Sequence, residues 1–489
     1  MNDGEKSKSI SRCFMNTKHD LFPNQIFRAY DIRGKVSLLS AQVVLAIGHG
    51  LAQQLKAQNQ NQVVIGYDAR LTSPAYSKIL TQVLEEYDIQ VTSIGCCSTP
   101  QMYFAARNMS GNGIMVTASH NSKEDNGIKW IIQSQPPNPE MIQKVAEIAA
   151  PHFYSNKKII LLNDEKHKMH SDFCLAYQNA LLSDIRLKRS LKVVIDGLNG
   201  SAGYCADLIL QKMGCEVISI RSQPDGNFPD HAPDPSLAIH LTKLQEKVLL
   251  HQADLGIALD GDGDRVVLVD EHAKIITADR LLSLFAQMCL STHPAHEFVF
   301  DVKCSTMVKN TVEQFGGIAK MIRTGSSFLR RYLLQSQGKA VFGGEYAGHY
   351  VFNDGRGFGY DDGLYAALRV MEYLSQQPNT TLSDLLKKYP ERCGTEDTYI
   401  STYGIEPSKV LKEVESKSND LGAAVEKIDG IRLDFKDGFG IMRASNTGEF
   451  FTVRFDADSS LGLNDIRQKF VSMLSDRYPM IAQDILNAQ

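Results

Sequence analysis

Hydrophobic and polar positions follow one pattern that recurs three times along the chain. Each repeat begins with a short run of apolar, β-branched or aromatic residues, passes through a helix-length segment to a second such run, and then reaches a third. Short apolar runs of this kind are typical of buried parallel strands joined by helical crossovers. The initial runs occupy residues 62–70, 191–200 and 297–305. The pattern therefore predicts three similar α/β domains with mixed, mainly parallel sheets.

The third run of each repeat ends in a polar, glycine-rich loop. These third runs occupy residues 113–121, 253–265 and 339–349. Parallel strands bring their carboxyl ends to one edge of the sheet, and ligands of open α/β sheets bind beyond that edge. The loops that carry Ser119, Asp260 and Glu345 are therefore predicted to meet around a central cleft.

The C-terminal part of the chain has a different pattern. From about residue 385, closely spaced runs alternate in character and precede an amphipathic segment at 463–478. This pattern predicts an α+β domain. The predicted organisation is a mobile tail at 1–20, α/β domains at 21–164, 165–268 and 269–384, and an α+β domain at 385–489.

Composition narrows the possible functions. The 489 residues are 43% hydrophobic and 22% charged, with a formal net charge of -4. Without a basic stripe, nucleic acid is not an expected partner. Neither a secretion signal nor an 18-residue apolar stretch is found, and the nine cysteines are scattered without a CxxC pair. A cytoplasmic protein with no membrane contact is therefore expected. A monomer or weak dimer is the expected oligomeric state, although composition and motifs do not determine it.

The segment "DGDGDR" carries the strongest chemical signal. Asp260, Asp262 and Asp264 alternate with glycines, so their carboxylates crowd a small volume that favours Mg²⁺, Mn²⁺ or Ca²⁺ over zinc. An EF-hand is one alternative, since Glu271 falls at the twelfth position of such a loop. However, Arg265 stands where the EF-hand needs glycine, and both flanks are strand-like. A solvated acidic turn is the other alternative; a catalytic Mg²⁺ site is preferred.

Ser119 is followed directly by His120, which raises the alternative of a serine hydrolase. No G-x-S-x-G motif surrounds the serine, and a histidine adjacent in sequence is not expected to act as its base. Lys129, Arg28 and Arg265 are instead candidates to stabilise a phosphoryl group on the serine. A purely structural turn is the remaining alternative.

Two further loops suit a phosphorylated sugar. Glu345 and His349 in "GGEYAGH" offer a carboxylate and an imidazole for vicinal hydroxyl groups. The loop "RASNTGE" between two predicted strands is either a simple hairpin or a phosphate-binding loop. Its candidate phosphate-binding residues are Arg443, Ser445, Asn446 and Thr447.

Together these residues resemble the α-D-phosphohexomutase family, in particular its bacterial phosphomannomutase/phosphoglucomutase branch. The resemblance covers nearly the whole chain from about Phe22. It rests on six motifs in the family's order, namely "IFRAYDIRG" (26–34), "TASHN" with Lys129, "DGDGDR", "DVKC" (301–304), "GEYAGH" and "RASNT".

The resemblance implies a role for each motif. Ser119 would carry the phosphoryl group and, as phosphoserine, would bind Mg²⁺ together with Asp260, Asp262 and Asp264. The implied residues of the transfer site are Arg28, Lys129 and Arg265. The implied sugar contacts are Lys303, Thr324, Gly325, Glu345 and His349. The implied ligands of the substrate's own phosphate are Arg443, Ser445, Asn446 and Thr447.

The implied reaction interconverts hexose 6-phosphate and hexose 1-phosphate, with mannose preferred and glucose possible as the hexose. Phosphate passes from the serine to the sugar, and the bound hexose 1,6-bisphosphate, also the implied activator, turns around before returning its other phosphate. The alternatives are a phosphoglucosamine mutase, a phosphosugar-binding regulator without turnover, and a Ca²⁺-binding structural protein. Departures from the family pattern, at Ser122, Ser326, Tyr346 and Ala347, affect the expected rate and substrate preference.

Overall fold

A computed structural model describes residues 21–154, 172–418, 421–445 and 448–488. The described residues form four β-sheets, three of them mixed and the fourth antiparallel. The predicted fold class is thereby confirmed. The tail at 1–20 lies outside the described residues. Within the described ranges, no helix combines the length and the apolar character that crossing a membrane requires.

The first sheet contains five strands in the order β1-β5-β4-β2-β3. The strands are β1 (Ile32–Lys35), β2 (Gln62–Tyr67), β3 (Gln90–Cys96), β4 (Gly113–Val116) and β5 (Asp125–Ile131). The helices are α1 (Ala41–Ala57), α2 (Ser73–Glu85), α3 (Thr99–Arg107) and α4 (Pro139–Phe153). β2 is parallel to β3 and β4, whereas β5 runs antiparallel to β4 and β1. The loop between β4 and β5 contains Ser119.

The second sheet has the order β7-β6-β8-β9. The strands are β6 (Lys192–Asp196), β7 (Glu216–Ile220), β8 (Leu255–Leu259) and β9 (Val266–Asp270), and the helices are α5 (Asp172–Asp184), α6 (Gly203–Lys212) and α7 (Thr242–His251). β9 folds back antiparallel to β8. The loop between them is "DGDGDR". The predicted boundary at 268 falls inside β9.

The third sheet repeats this arrangement in the order β11-β10-β12-β13. The strands are β10 (Glu297–Asp301), β11 (Ile318–Ile322), β12 (Ala340–Gly344) and β13 (Tyr350–Phe352). The helices are α8 (Ala278–Leu290), α9 (Thr306–Gln314), α10 (Ser326–Gln335), α11 (Gly363–Ser375) and α12 (Leu382–Leu386). β13 is antiparallel to β12, and Glu345 begins the connection between them. The predicted boundary at 384 falls inside α12.

The C-terminal sheet is antiparallel, with the order β14-β19-β18-β17-β16 and β15 paired to β19. The strands are β14 (Cys393–Gly394), β15 (Thr398–Ser401), β16 (Ala424–Glu426), β17 (Ile431–Asp434), β18 (Gly438–Ala444) and β19 (Phe450–Ala457). The helices are α13 (Pro407–Ser418), α14 (Ser460–Leu474) and α15 (Pro479–Leu486), and short 3₁₀ helices occur at Asn24–Ile26 and Ala238–Leu241.

One hydrophobic core connects the three α/β domains. The same cluster contains Met115 of β4, Ile195 of β6 and Phe300 of β10, all buried. Separate clusters fill the remainder of the first domain and the C-terminal domain. A contiguous packed core resists relative movement because its side chains interdigitate at crystal-like density. The shared core therefore fixes the positions of the three loops that follow β4, β8 and β12.

Candidate active site

The structure brings the serine of the first loop into contact with the acidic loop of the second. Ser119 is 1% exposed, and its Oγ donates a hydrogen bond of 2.6 Å to Oδ2 of Asp260. Its backbone φ is 51°, a left-handed conformation that is costly for a residue with a Cβ. The amide of Ser119 donates to Oγ1 of Thr117 at 2.8 Å, which helps to hold this turn. The loop thus presents the hydroxyl toward the carboxylates.

Arg70 holds the serine loop in place. This side chain is 1% exposed and lies 3.0 Å from Oδ2 of Asp68 through its Nε. Its terminal nitrogens donate to the backbone carbonyl oxygens of Ser119 (2.7 Å), Asn121 (2.7 Å), Ser122 (2.5 Å) and Asp125 (3.0 Å). One planar guanidinium therefore satisfies four backbone carbonyl oxygens between residues 119 and 125. Sequence reasoning missed Arg70, although it follows the first apolar run in "QVVIGYDAR".

The three aspartates of the second loop form a buried acidic cluster. Asp260, Asp262 and Asp264 are at most 1% exposed, and each offers an oxygen within 4.8 Å of the others. Lys129 places its Nζ 2.8 Å from Asp262 Oδ2 and 2.6 Å from Asp264 Oδ2. Burial and the neighbouring charges of Asp264 and Asp262 raise the pKa of Asp260 well above its usual range. Lys129 compensates only part of the cluster's charge.

The acidic cluster fits a hard divalent cation. The Oδ1 atoms of Asp262 and Asp264 are buried, and among the described residues neither has a hydrogen-bond partner. Buried carboxylate oxygens without a hydrogen-bond partner are better ligands for Mg²⁺ than for a soft metal. The loop connects the antiparallel strands β8 and β9, so the helices that an EF-hand requires are absent here. A second group of side chains could also hold a metal ion and shares Asp264 with the first; its other members are His349 and Asp361.

His120 corrects an expectation drawn from the sequence. Its Nδ1 lies 3.2 Å from Oγ of Ser119, so adjacency in sequence does not keep the imidazole away from the hydroxyl. The left-handed turn at Ser119 makes this approach possible. Burial, with the positive charges of Arg265 and Arg33, lowers the pKa of His120 well below its usual value. The imidazole is therefore neutral beside the serine.

Arg33 is a second residue that sequence reasoning missed. It is 6% exposed, donates to Oδ1 of Asn121 at 3.1 Å, and pairs with Asp31 at 2.6 Å. Both Arg28 and Arg33 lie in "IFRAYDIRG", and the sequence analysis named only Arg28. The Nε of Arg28 has no hydrogen-bond partner among the described residues. Arg33 thus contacts the serine loop through its guanidinium.

Arg265 and His349 join the acidic loop to the third domain. The amide of Arg265 donates to Oδ1 of Asp260 at 3.1 Å, and its Nε donates to Nε2 of His349 at 2.9 Å. Nδ1 of His349 lies 2.9 Å from Oδ2 of Asp361. His349 is 5% exposed, its Nε2 accepts from Arg265, and its Nδ1, although close to Asp361, makes no hydrogen bond among the described residues. Its contact with a sugar stays a prediction. The structure places it as a bridge between Arg265 and Asp361.

Glu345 faces the turn that precedes α10. It is 2% exposed, and its Oε1 accepts a hydrogen bond of 2.5 Å from the amide of Gly325. Thr324 donates through Oγ1 to Oδ2 of Asp301 at 2.8 Å, while the amide of Tyr346 donates to Oδ1 of the same aspartate at 3.0 Å. Burial raises the pKa of Glu345 to about 7. Asp301 therefore ties together the two loops that carry the predicted sugar contacts.

Lys303 sits where the third domain meets the C-terminal sheet. It is 5% exposed, and its Nζ lies 2.5 Å from Oδ2 of Asp397. The buried Arg432 donates to the carbonyl oxygens of residues 302 and 304, each at 2.6 Å. Arg454, also buried, donates to the carbonyl oxygen of Lys303. Two arginines of the C-terminal domain thus fix the backbone on which Lys303 stands.

The predicted phosphate-binding loop begins at the end of β18. Arg443 pairs with Asp429 at 2.7 Å, and the same carboxylate accepts the amide of Thr324 at 3.1 Å. Oγ of Ser445 accepts the amide of Gly448 at 3.1 Å. The other predicted members of this loop, Asn446 and Thr447, lie outside the described residues. The shared carboxylate of Asp429 brings Arg443 close to the turn at Thr324.

Comparison with known proteins agrees with this geometry. Profiles described as phosphoglucomutase/phosphomannomutase, alpha/beta/alpha domains I, II and III, match residues 24–155, 172–274 and 277–393. A phosphomannomutase/phosphoglucomutase of Pseudomonas syringae pv. tomato is 36% identical over 94% of this chain and 97% of its own length. A phosphoglucomutase of Neisseria gonorrhoeae is 34% identical over 93% and 98%.

Solved structures lead to the same family. A phosphoglucomutase/phosphomannomutase family protein from Burkholderia thailandensis superposes with a TM-score of 0.83 at 33% identity, covering 93% of this chain and 98% of its own. A phosphomannomutase described as putative from Thermus thermophilus, 19% identical with a TM-score of 0.74, shares the fold. The resemblance that the six sequence motifs indicated is confirmed. The chain belongs to the phosphoglucomutase/phosphomannomutase family.

Proposed function

We propose that this protein is a phosphohexomutase that interconverts hexose 6-phosphate and hexose 1-phosphate, with mannose preferred and glucose also accepted. The observation that carries the proposal is the contact between Oγ of Ser119 and Asp260, 2.6 Å apart inside a buried acidic cluster. A hydroxyl in this position is next to the charges that phosphoryl transfer requires. The names of the two relatives described above agree with this reaction class.

Ser119 is the group we propose to carry the phosphoryl. Mg²⁺ bound by the carboxylates of Asp260, Asp262 and Asp264 would neutralise negative charge on the transferred group. Lys129, whose pKa is held well above its usual value by Asp262 and Asp264 despite burial, adds a fixed positive charge.

The neutral Nδ1 of His120, 3.2 Å from Oγ, is positioned to hold the serine's proton when that oxygen acts as nucleophile. Buried charges act strongly here because little water screens them. The local geometry around Ser119 therefore supplies both charge stabilisation and a proton acceptor.

The far end of the cleft is proposed to hold the substrate's other phosphate. Arg443 and Ser445 offer a guanidinium and a hydroxyl there, and Asn446 and Thr447 are proposed to complete the loop. Glu345, with a pKa near 7, is able to donate or accept a hydrogen bond with a sugar hydroxyl. One end of the cleft would bind a phosphate, and phosphoryl transfer would take place at the other end. This arrangement suits a hexose 1,6-bisphosphate intermediate, which is also the proposed activator.

The alternatives that remain concern substrate and turnover. Tyr346 stacks on the guanidinium of Arg454, 3.6 Å from the ring centre, so this residue of the sugar loop contacts the C-terminal domain. Ser326, in place of the family's common histidine, is the first residue of α10. The activity assay described in the next paragraph distinguishes the proposal from a phosphoglucosamine mutase and from a regulator without turnover. The eight described cysteines are free thiols, which supports a cytoplasmic location, and the oligomeric state stays a prediction.

The decisive experiment compares Ser119→Ala with Ser122→Ala, a matched loss of one hydroxyl three residues away. Mannose, glucose and glucosamine 1-phosphates are supplied with Mg²⁺ and catalytic hexose 1,6-bisphosphate, and hexose 6-phosphates are measured by a coupled assay. We expect activity to fall by at least ~10³-fold in Ser119→Ala only. Intact mass should show that wild-type protein gains one phosphoryl group and Ser119→Ala none. Undiminished turnover by Ser119→Ala would refute the proposal, and reversible phosphorylation of wild type would exclude the regulator.

A further inference from the structure

A cavity at the seam between the first and third domains is separate from the residues assigned above. Its volume is about 300 Å³, at the lower end of the range for small-molecule sites. α3 contributes Tyr103 and Arg107, α10 contributes Arg330, and the segment after β13 contributes Phe358 and Tyr360. None of the lining residues belongs to the serine, acidic, sugar or phosphate loops. The proposed reaction therefore leaves this cavity without a role.

The polar side of the cavity is positively charged. Arg107 and Arg330 line it, and no carboxylate does so among the described residues. Arg330 is 4% exposed; its guanidinium lies 4.0 Å from the centre of the Tyr103 ring and 3.7 Å from Oδ1 of Asp361. Arg107 is exposed and donates to the carbonyl oxygen of Phe358. Two guanidinium groups at one small cavity favour an anionic ligand.

A buried hydroxyl at the same place also lacks a partner. Tyr360 is 7% exposed, and its hydroxyl has no hydrogen-bond partner among the described residues. Burial and the negative charge of Asp362 raise the pKa of Tyr360 well above its usual value, and the nearby charges of Arg107 and Arg330 oppose that shift. Buried hydroxyls are normally hydrogen-bonded, so an unsatisfied one calls for an explanation. An anion held between the two arginines would supply the missing acceptor.

The other side of the cavity is apolar and aromatic. The rings of Phe358 and Tyr360 stack with their centres 5.6 Å apart and their planes at 20°. Ile131, Leu333 and Leu334 complete the apolar lining. Flat aromatic surfaces of this kind favour a planar ligand group, because stacking maximises contact. The ligand therefore needs a planar apolar part as well as an anionic one.

We propose that this cavity binds a small anion that carries a planar apolar group, the chemistry shared by nucleoside monophosphates and aromatic carboxylates. Arg107, Arg330 and the hydroxyl of Tyr360 bind the anionic group, and the aromatic rings contact the planar part. This assignment is independent of the proposed mutase activity.

The cavity is also connected to the candidate active site. Arg330 lies 3.7 Å from Asp361, which lies 2.9 Å from His349, whose Nε2 accepts from Arg265 at 2.9 Å. An anion bound to Arg330 competes with Asp361 for that guanidinium and weakens the support of His349. Coupling between two sites typically changes affinity about 5- to 150-fold. The bound anion should therefore change the KM for the hexose phosphate by at least ~5-fold.

The test is isothermal titration of the full chain with AMP, with benzoate and with inorganic phosphate. Saturating glucose 1-phosphate is present throughout, so that the probes do not report on the catalytic cleft. Arg107→Ala removes an exposed side chain, and Tyr360→Phe removes only a hydroxyl. Arg477→Ala, an exposed arginine of the C-terminal domain paired with Glu413, is the matched control. Equal melting temperatures establish that the variants fold.

We expect AMP or benzoate to bind wild type and Arg477→Ala equally, and to bind Arg107→Ala and Tyr360→Phe at least ~5-fold more weakly. Binding of AMP alone identifies a nucleotide site, and binding of benzoate alone identifies a carboxylate site. The proposal is overturned if neither probe binds by ~10 mM, if all variants bind alike, or if inorganic phosphate binds as tightly as the planar probes. Binding that leaves the KM unchanged overturns the coupling. Because calorimetry needs no turnover, an inactive enzyme would not affect the binding result; the coupling is tested separately, by measuring the KM for glucose 1-phosphate with and without the bound probe.

Discussion

Replacing Arg70 by lysine tests whether one buried guanidinium positions the serine loop. The wild-type side chain bonds four carbonyl oxygens of the loop as well as the carboxylate of Asp68. Arg70→Lys keeps the charge that Asp68 needs but reduces five donors in a plane to three on one atom. At least two of the buried carbonyl oxygens therefore lose their partner.

The expected losses of stability and of kcat follow from these contacts. A hydrogen bond to a charged donor contributes about 1.5–3 kcal/mol, so losing two destabilises the fold by about 3–6 kcal/mol. Arg70→Met should cost more, because it also leaves Asp68 as an uncompensated buried charge, worth about 3–5 kcal/mol. A shift of ~1 Å in a reacting group lowers the rate about 10²-fold. Since Ser119 stands on this loop, kcat should fall by that factor in Arg70→Lys.

The assay measures melting temperature, kcat and phosphoryl uptake on Ser119 for wild type, Arg70→Lys and Arg70→Met. Arg477→Lys, the same substitution at an exposed arginine, is the control and should leave all three quantities unchanged. We expect the melting temperature of Arg70→Lys to fall by at least ~5 °C. A melting temperature and a kcat of Arg70→Lys that both match the wild-type values would contradict the argument that the guanidinium shapes the loop.

Three other predictions rest on buried polar groups. Burial raises the pKa of Asp362 to about 7, so the folded protein holds a proton that the unfolded chain releases above about pH 4. The free energy of unfolding of wild type relative to Asp362→Asn, which still caps α11 toward the amide of Tyr365, should thus fall by up to about 4 kcal/mol as pH rises from about 4 to about 7, and then level off. Thermal melts of the two proteins across pH measure this difference, and parallel curves would contradict the prediction. Arg432→Lys loosens the backbone of Lys303 and should raise the KM for hexose phosphate about 10-fold with a smaller change in kcat; an unchanged KM would show that Lys303 does not need this support. Removing divalent ions with EDTA should abolish turnover, and Mg²⁺ should restore it better than Zn²⁺; full activity in EDTA would exclude the metal at the acidic cluster.

The periodic pattern of apolar residues determined the fold class. Runs such as 62–70 and 191–200 contain the strands β2 and β6, and the helix-length segments between runs are helices as predicted. These signals are local, because a buried parallel strand needs only a short apolar run and a crossover long enough to return. The same logic placed the loops of Ser119, Asp260 and Glu345 at one edge. The strand-like flank that follows "DGDGDR" is β9, whereas the antiparallel strands β5 and β13 were not predicted individually.

Only the tertiary structure decided which charged residues serve those loops. Arg70 bonds carbonyl oxygens about 50 positions away in sequence, and nothing around "YDAR" marks them as its partners. His349 lies against Arg265 and Asp361, two neighbours that the sequence did not indicate. A charge becomes buried only when its compensating partner arrives from another segment, and that meeting depends on the packing of whole domains. The sequence thus determined the strands and the chemical groups at their ends, whereas the packed core determined which of those groups meet.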